Sequence, residues 1–319
     1  MADYDVFNGD ADGICSLVQL RNHEPGKSKL VTGVKRDIAL LEKVALNEGD
    51  RLTVLDVSMD KNRAGLEKAL HSGADVFYVD HHFPGDIPDH KNLTAIINEA
   101  PDTCTSILVN THLKGTYCAW AVVGAFGDNL KKSAQALAKQ LDVSSGQLNQ
   151  LENLGIYINY NGYGSNLEDL HFRPDELYQK VVPFSNPLDF IQSGSEDFEK
   201  LEAGYRNDMG SAQQTQPEVA TSNSAVYILP DQSWARRVSG VFSNDLANQH
   251  PDRAHAVLTE KENGNYLVSV RAPLNNKTGA VDLCRQFPTG GGRAAAAGIN
   301  DLPAQRMDEF IEKLEANYQ

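Results

Sequence analysis

The chain has 319 residues, a length that suggests about two domains, and its 41% hydrophobic and 23% charged residues are typical of a globular protein. The net charge is −14, and the acidic excess lies in residues 1–222, which hold 19 Lys and Arg against 32 Asp and Glu, whereas residues 223–319 hold 10 against 11. This composition excludes a chain that is disordered, collagen-like or coiled-coil over its whole length. The acidic charge disfavours binding of long nucleic acids unless a basic groove is present.

The sequence also predicts a cytoplasmic protein with no membrane partner. The first residues lack the basic and apolar regions of a signal peptide, and no stretch approaches the ~20 apolar residues of a membrane span. The four cysteines show no C-x-x-C spacing, so free thiols are expected rather than a disulfide scaffold or a structural zinc site. We expect a monomer or a homodimer.

Short apolar strands alternate with helices in the first part of the chain. Strands are predicted to end at Phe7 and to cover residues 30–34, 52–55, 76–79 and 95–97. Helices are predicted over residues 14–20, 38–46 and 61–70, and mostly helical sequence follows from Cys104 to Tyr160. This alternation is typical of an α/β domain with a mainly parallel sheet flanked by helices.

A polar segment, residues 207–224, separates this pattern from a second one and is interpreted as part of a linker. We therefore predict a catalytic domain over residues 1–185, a linker region over 186–224 and a smaller mixed α/β domain over 225–319. In the second domain, strands are predicted at 226–229, 254–258 and 266–271, with a hairpin turn at 262–265 and helices at 234–248 and 304–317.

Carboxylates and imidazoles follow several of the predicted strands. The first strand is followed by Asn8-Gly9-Asp10-Ala11-Asp12-Gly13, the third by Asp56 and the fourth by Asp80-His81-His82, and a later helix ends in Gly127-Asp128. Ligands of parallel sheets bind at the carboxyl ends of the strands. Carboxylates packed this closely need cations, and oxygen and imidazole ligands without a thiolate favour two ions of Mn²⁺ or Mg²⁺.

Each of these pieces alone has a simpler interpretation. Asp-x-Asp followed by Gly is common in surface turns, Asp56 could cap a helix, and Gly-Asp-Asn around Asp128 is also a turn sequence. Only the combination of residue types, order and placement at strand ends favours a chemical site.

This combination resembles the four motifs of the DHH phosphoesterase superfamily: Asn8-x-Asp10-x-Asp12, Asp56, Asp80-His81-His82 and Gly127-Asp128. Residues 289–298, Thr-Gly-Gly-Gly-Arg-Ala-Ala-Ala-Ala-Gly, are similar to the glycine-rich signature of the associated DHHA1 domain. The resemblance implies a two-metal hydrolase whose active site lies in the cleft between the two domains.

The resemblance also implies a role for each residue. Asn8, Asp10 and Asp56 would hold one metal ion, and Asp12, Asp56, His81 and Asp128 the other, so that Asp56 bridges. His82 would face the substrate phosphate, and Asp80 would orient His81 rather than bind metal. In the second domain, Gly290, Gly291 and Gly292 would offer backbone N–H groups to an anion, and Arg271 and Arg293 would clamp phosphate.

Two positions depart from the family pattern. Asn8 stands where many members have His, which affects the first metal position, and Arg293 stands where many DHHA1 domains have His, which leaves phosphate binding but no acid role.

The expected activity is two-metal-dependent hydrolysis of short oligonucleotides or linear dinucleotides such as pGpG to mononucleotides, with Mn²⁺ favoured and Mg²⁺ as the alternative metal. A nucleoside 3′,5′-bisphosphate phosphatase and a cyclic-dinucleotide phosphodiesterase remain as enzymatic alternatives, and a degenerate nucleotide-binding module as a non-enzymatic one. A haloacid-dehalogenase-type phosphatase would explain neither Asp-His-His nor the glycine run.

Three further segments rank lower. The pair Lys35-Arg36 follows the predicted strand 30–34 and could contact substrate, but a solvated charged pair is the favoured interpretation. Residues 101–106 are interpreted as the cap of a helix, although the family resemblance also allows a place near the site. Residues 157–163 could stack a base, but a helix end with packed aromatic side chains is favoured.

Overall fold

The computed structural model describes residues 2–193 and 195–319 and divides the chain into two compact units, Met1–Ala203 and Gly204–Gln319. The sequence-based expectation of two α/β domains agrees with this division. Within the described residues, no helix combines the length and apolar character needed to cross a membrane.

The first unit is built on a five-stranded sheet in which every neighbouring pair is parallel. Its strands, in the spatial order β2-β1-β3-β4-β5, are β1 (Asp3–Phe7), β2 (Lys29–Val31), β3 (Arg51–Leu55), β4 (Asp75–Asp80) and β5 (Leu93–Ile97). Because all five strands run in one direction, their carboxyl ends lie at one edge of the sheet.

Helices follow the strands of the first unit. They are α1 (Ala11–His23), α2 (Arg63–His71), α3 (Thr105–His112), α4 (Cys118–Gly127), α5 (Lys131–Ala138), α6 (Ser145–Gly162), α7 (Pro174–Val181), α8 (Pro187–Ser193) and α9 (Ser195–Gln213). Val54 and Tyr78 from the strands share a buried core with Leu66 of α2. Helix α4 packs against α1 and α6, so the helices bury apolar strand residues as a parallel sheet requires.

The second unit contains a six-stranded mixed sheet. Its strands, in the order β10-β11-β9-β8-β7-β6, are β6 (Val219–Ala220), β7 (Ser224–Leu229), β8 (Ala254–Glu260), β9 (Tyr266–Arg271), β10 (Gly290–Gly292) and β11 (Ala296–Leu302). Only β7 and β8 are parallel. The helices are α10 (Ser233–Gln249), α11 (Ala280–Cys284) and α12 (Met307–Asn317), and Leu283, Phe310 and Leu314 join the core of this sheet.

Two predicted elements differ in the structure. The segment 186–224, expected to be a linker, contains α8, α9 and β6. Its polar stretch includes the end of α9, where Met209 and Ala212 are buried while Asn207, Ser211 and Gln213 are exposed. The helix predicted over residues 38–46 is reduced to the 3₁₀ turn Leu40–Lys43.

Candidate metal centre

The strand ends of the first unit carry the predicted acidic residues into one buried group. Asp10, Asp12, Asp56 and Asp80 are each at most 3% exposed. Asp10 caps helix α1 directly after β1, Asp56 follows β3, and Asp80 ends β4. The parallel sheet therefore positions these side chains as the motif order predicts.

Asp56, His81 and His82 form the tightest cluster, because each offers a ligand atom within 4.8 Å of the others. His81 Nε2 lies 3.3 Å from Asp56 Oδ1 and 3.9 Å from Asp12 Oδ2. His81 Nδ1 lies 3.2 Å from the carbonyl oxygen of Thr103, to which it can only donate. The Nε2 lone pair of this ring is thereby directed to the carboxylates.

Burial raises the pKa of Asp56 well above its usual range, and the charges of Asp10 and Asp12 raise it further. Burial also raises the pKa of Asp12. Carboxyl groups in such surroundings accept either a proton or a cation, so the electrostatics of the site favour a bound metal ion.

His82 lies at the open side of the cluster. Its side chain is 34% exposed, and its Nδ1 lies 2.7 Å from Asp80 Oδ1. Although burial lowers the pKa of His82, the hydrogen bond and the charge of Asp80 outweigh it and raise that pKa. Asp80 thus fixes the ring of His82 and favours its protonated form. The expectation that Asp80 orients His81 is wrong, because the Nδ1 atom of His81 contacts the Thr103 carbonyl instead.

Asp12 also caps the start of helix α3. Its Oδ2 and Oδ1 accept hydrogen bonds of 2.7 Å from the backbone N–H groups of Thr105 and Ser106, the first two residues of α3. The N-cap residue of α3, Cys104, supplies no side-chain cap. A carboxylate from α1 therefore satisfies the free N–H groups at this helix start.

Asp128 reaches the same region from the end of α4. Its charge raises the pKa of both Asp12 and Lys35, which places it near these two groups. Its Oδ2 is buried without a hydrogen-bond partner, as are Asn8 Oδ1 and Asp80 Oδ2. Buried oxygen atoms of this kind are costly unless a cation or another donor reaches them, so the donor set fits a divalent ion.

Lys35 was missed as a site residue. It was interpreted as part of a solvated pair, but its Nζ lies 2.6 Å from Asp10 Oδ2 and 2.9 Å from Asn159 Oδ1. The strand-end rule could have found it, because Lys35 comes directly after the predicted strand 30–34, as Asp56 does after the predicted strand 52–55. Asn159, in the segment interpreted as packed aromatics, was missed with it.

Thr105 also joins the site, since its Oγ1 donates to Asp56 Oδ1 over 3.3 Å. Of the two interpretations of residues 101–106, this contact supports a place near the site.

The predicted phosphate-binding residues belong to the second unit. Gly290–Gly292 form strand β10, paired with β11, and the Gly290 N–H donates to the Phe287 carbonyl. The expected row of bare N–H groups is therefore incomplete at Gly290. Close packing explains this glycine, because a Cβ there would lie 1.7 Å from the carbonyl oxygen of Cys284.

Arg271 and Arg293 lie at one end of this sheet. Arg271 pairs with Ala296 across β9 and β11, and the Arg293 N–H donates to the Ala296 carbonyl. The Arg271 Nε donates to Asn244 Oδ1 over 2.7 Å, while the Arg293 residue is exposed. Both guanidinium groups thus belong to the same part of the second unit.

Comparison with known proteins gives one family match. Residues 222–319 match the DHHA1 domain family. The whole chain also has the fold of a DHH-domain protein, PF0399, described as a member of a family of ribosomal proteins, with a TM-score of 0.68 and 13% identity over 99% of this chain and 86% of that one.

Two further structures share the DHH/DHHA1 fold. The exonuclease RecJ bound to manganese gives a TM-score of 0.60 at 16% identity, covering 99% of this chain and 89% of RecJ. The pGpG-specific phosphodiesterase PggH from Vibrio cholerae gives a TM-score of 0.55 at 16% identity, covering 99% of this chain and 100% of PggH. The comparison with curated proteins gives no match. The family match confirms the DHHA1 part of the resemblance, and the structural neighbours confirm the expected fold.

Proposed function

We propose that this DHH/DHHA1 protein is a divalent-metal-dependent phosphodiesterase that hydrolyses linear dinucleotides and other very short oligonucleotides to mononucleotides. The observation that carries the proposal is the cluster of Asp56, His81 and His82, surrounded by buried carboxylate oxygens without partners. The activities of RecJ, an exonuclease, and PggH, a pGpG-specific phosphodiesterase, support phosphoester hydrolysis. The manganese in RecJ supports Mn²⁺, with Mg²⁺ as the alternative.

Asp56, His81, Asp12 and Asp128 would hold the metal. A divalent ion held there supplies a Lewis acid and lowers the pKa of a coordinated water towards neutrality. His81 is fixed for this task because its Nδ1 is engaged by Thr103.

His82 would bind the scissile phosphate. Asp80 holds the ring at Nδ1, which leaves Nε2 to donate a hydrogen bond to a phosphate oxygen, and the raised pKa of His82 keeps the ring charged when it does so. Such a fixed donor stabilises the negative charge that develops on phosphorus oxygens.

Arg271 and Arg293, in the second unit, would bind phosphate oxygens. Guanidinium groups form paired hydrogen bonds with phosphate, and the second unit is close to neutral, so these arginines are not masked by a general acidic surface. The acidic first unit favours short substrates over long polymers.

A substrate panel tests the proposal. It contains pGpG, pApA, a cyclic dinucleotide, a nucleoside 3′,5′-bisphosphate and a 20-nucleotide single strand, each with Mn²⁺ and with EDTA. We expect mononucleotides from the linear dinucleotides, and no turnover with EDTA. Cleavage of the 20-mer alone would overturn the length preference, and tight nucleotide binding without turnover of any substrate would favour the non-enzymatic alternative.

A further inference from the structure

A lysine occupies the end of the metal centre where the family pattern expects the first of two ions. The Lys35 ammonium contacts Asp10 Oδ2 at 2.6 Å and Asn159 Oδ1 at 2.9 Å, and lies 5.3 Å from the centre of the Tyr163 ring. Its backbone N–H donates to the Gly162 carbonyl over 2.8 Å. The side chain is thus anchored at its base and its charge is surrounded by suitable partners.

Groups of the chain itself engage both oxygens of Asp10. Oδ1 accepts the backbone N–H groups of Asp12 and Gly13 over 3.0 and 3.1 Å, and Oδ2 accepts Lys35. A metal ion at this carboxylate would have to displace a charged and anchored partner.

Asn8 adds no negative charge to the half of the metal centre that contains Asp10. It is a neutral residue, and its Nδ2 lies 3.4 Å from the Lys35 carbonyl. Asn8 and Asp10 together therefore offer one negative charge, which one ammonium already balances. A second divalent ion there would be repelled by Lys35, and Asp56 would have to compensate its charge together with that of the first ion.

In the other half, Asp12 also accepts hydrogen bonds at both oxygens, but from the backbone N–H groups of Thr105 and Ser106, which carry no net charge and leave lone pairs for a metal ion. Asp56 and His81 lie within ligand distance of each other, Asp12 Oδ2 lies 3.9 Å from His81 Nε2, and Asp128 Oδ2 is buried without a partner. Three carboxylates and one imidazole are sufficient for one divalent ion.

We propose that the centre binds a single divalent ion, at Asp56, His81, Asp12 and Asp128, and that the Lys35 ammonium takes the place of the second cation beside Asp10. This inference rests on the proposed function for its substrate, since Lys35 would supply the second positive charge for a bound phosphate. It revises the expectation of two ions to one ion and one lysine.

Metal stoichiometry tests this proposal without reference to turnover. Mn²⁺ bound per chain is measured by equilibrium dialysis with elemental analysis, and the electron paramagnetic resonance spectrum of the loaded protein separates isolated from coupled ions. The variants are Lys35→Gln, Asn8→His with Lys35→Gln, and Lys43→Gln. Lys43 is the matched control, because it pairs with Asp37 but its side chain is 47% exposed and takes no part in the centre.

We expect one Mn²⁺ per chain in the natural protein and in Lys43→Gln, with the signal of an isolated ion. Lys35→Gln should gain a second, weaker site, and the double variant should bind this second ion at least tenfold more tightly and show a coupled signal. Circular dichroism checks that each variant is folded.

Two ions of similar affinity in the natural protein would overturn the proposal even if Lys35→Gln fails to fold, as would one ion in the folded double variant. One bound ion without turnover of any substrate would refute the proposed function and leave this inference standing. Two bound ions together with turnover would refute this inference and support the proposed function.

Discussion

The Nε2 atom of His81 lies 3.3 Å from Oδ1 of Asp56, so two groups that usually accept protons face each other in a buried site. Such an arrangement is stable only if a proton or a cation lies between them. The raised pKa of Asp56 indicates that the metal-free protein keeps a proton there, which a metal ion would replace.

Replacing Asp56 with Asn should abolish metal binding and lower kcat/KM by more than about 10³-fold, since the charged ligand is lost. Asp56 has a φ of +57°, a left-handed conformation that Asn tolerates better than Ala. Asn is therefore the cleaner change, and its Tm should stay close to that of the natural protein measured in EDTA. Isothermal titration with Mn²⁺ and dinucleotide turnover measure the effect; normal turnover in this variant would contradict the assignment.

Asp80→Asn should lower kcat about 10- to 100-fold and leave Mn²⁺ affinity almost unchanged, because Asp80 acts through His82. The two single variants and the double variant with His82→Ala form a cycle. If Asp80 serves to position His82, the second change adds little once His82 is gone. Additive losses, or a parallel loss of Mn²⁺ affinity, would assign Asp80 a different role.

Asp12→Ala should lower the free energy of unfolding by about 2 kcal/mol in EDTA, because two N–H groups at the start of α3 lose a charged acceptor. Asp128→Ala is the matched control, since it removes the same charge from a carboxylate whose Oδ2 has no partner. Urea unfolding in a Trp234→Phe background lets Trp120 of α4 report on the first unit. Equal destabilisation by both changes would show that charge, not capping, matters.

The second unit should become less stable in mild acid through His255. This side chain is fully buried, and its Nε2 accepts from the Arg253 Nε over 3.1 Å. Burial, Arg253 and His250 lower its pKa to about 4, whereas the unfolded chain binds the proton near pH ~6.5. Stability is therefore present above this value and is lost as the pH falls towards 4.

Lowering the pH from ~7.5 to ~5.5 should lower the free energy of unfolding by about 1 kcal/mol through His255. Chemical denaturation at the two pH values measures it. His255→Gln should reduce the difference, while His71→Gln, at an exposed position, should not. An unchanged pH dependence in His255→Gln would assign the acid sensitivity to other groups.

The sequence was sufficient to predict the residues of the metal centre that directly follow the parallel strands. Residues after parallel strands share one edge of the sheet, so Asp10, Asp56 and His81 could be grouped before their distances were known. The capping role of Asp12 could not be predicted, because it depends on α3, which begins 93 residues later in the chain.

Lys35 and the 3₁₀ turn were missed because tertiary contacts decide them. Charged pairs after a strand are usually solvated, and only the position of Asp10 reveals that Lys35 is paired. In Leu40–Lys43, the Leu41 N–H donates to the Asn62 side chain, which in turn donates to the Ile38 carbonyl. These bonds hold the segment outside a regular helix despite its helical spacing of apolar residues.

Two buried thiols, Cys15 and Cys104, lie beside the acidic residues of the centre. Burial raises the pKa of both well above the usual range, and the negative charge of Asp12 raises each further. Oxidants, alkylating agents and soft metals react with thiolates rather than thiols. The metal centre should therefore be insensitive to peroxide, although sulfur atoms lie close to its ligands. Cadmium or mercury should not inactivate it through these cysteines.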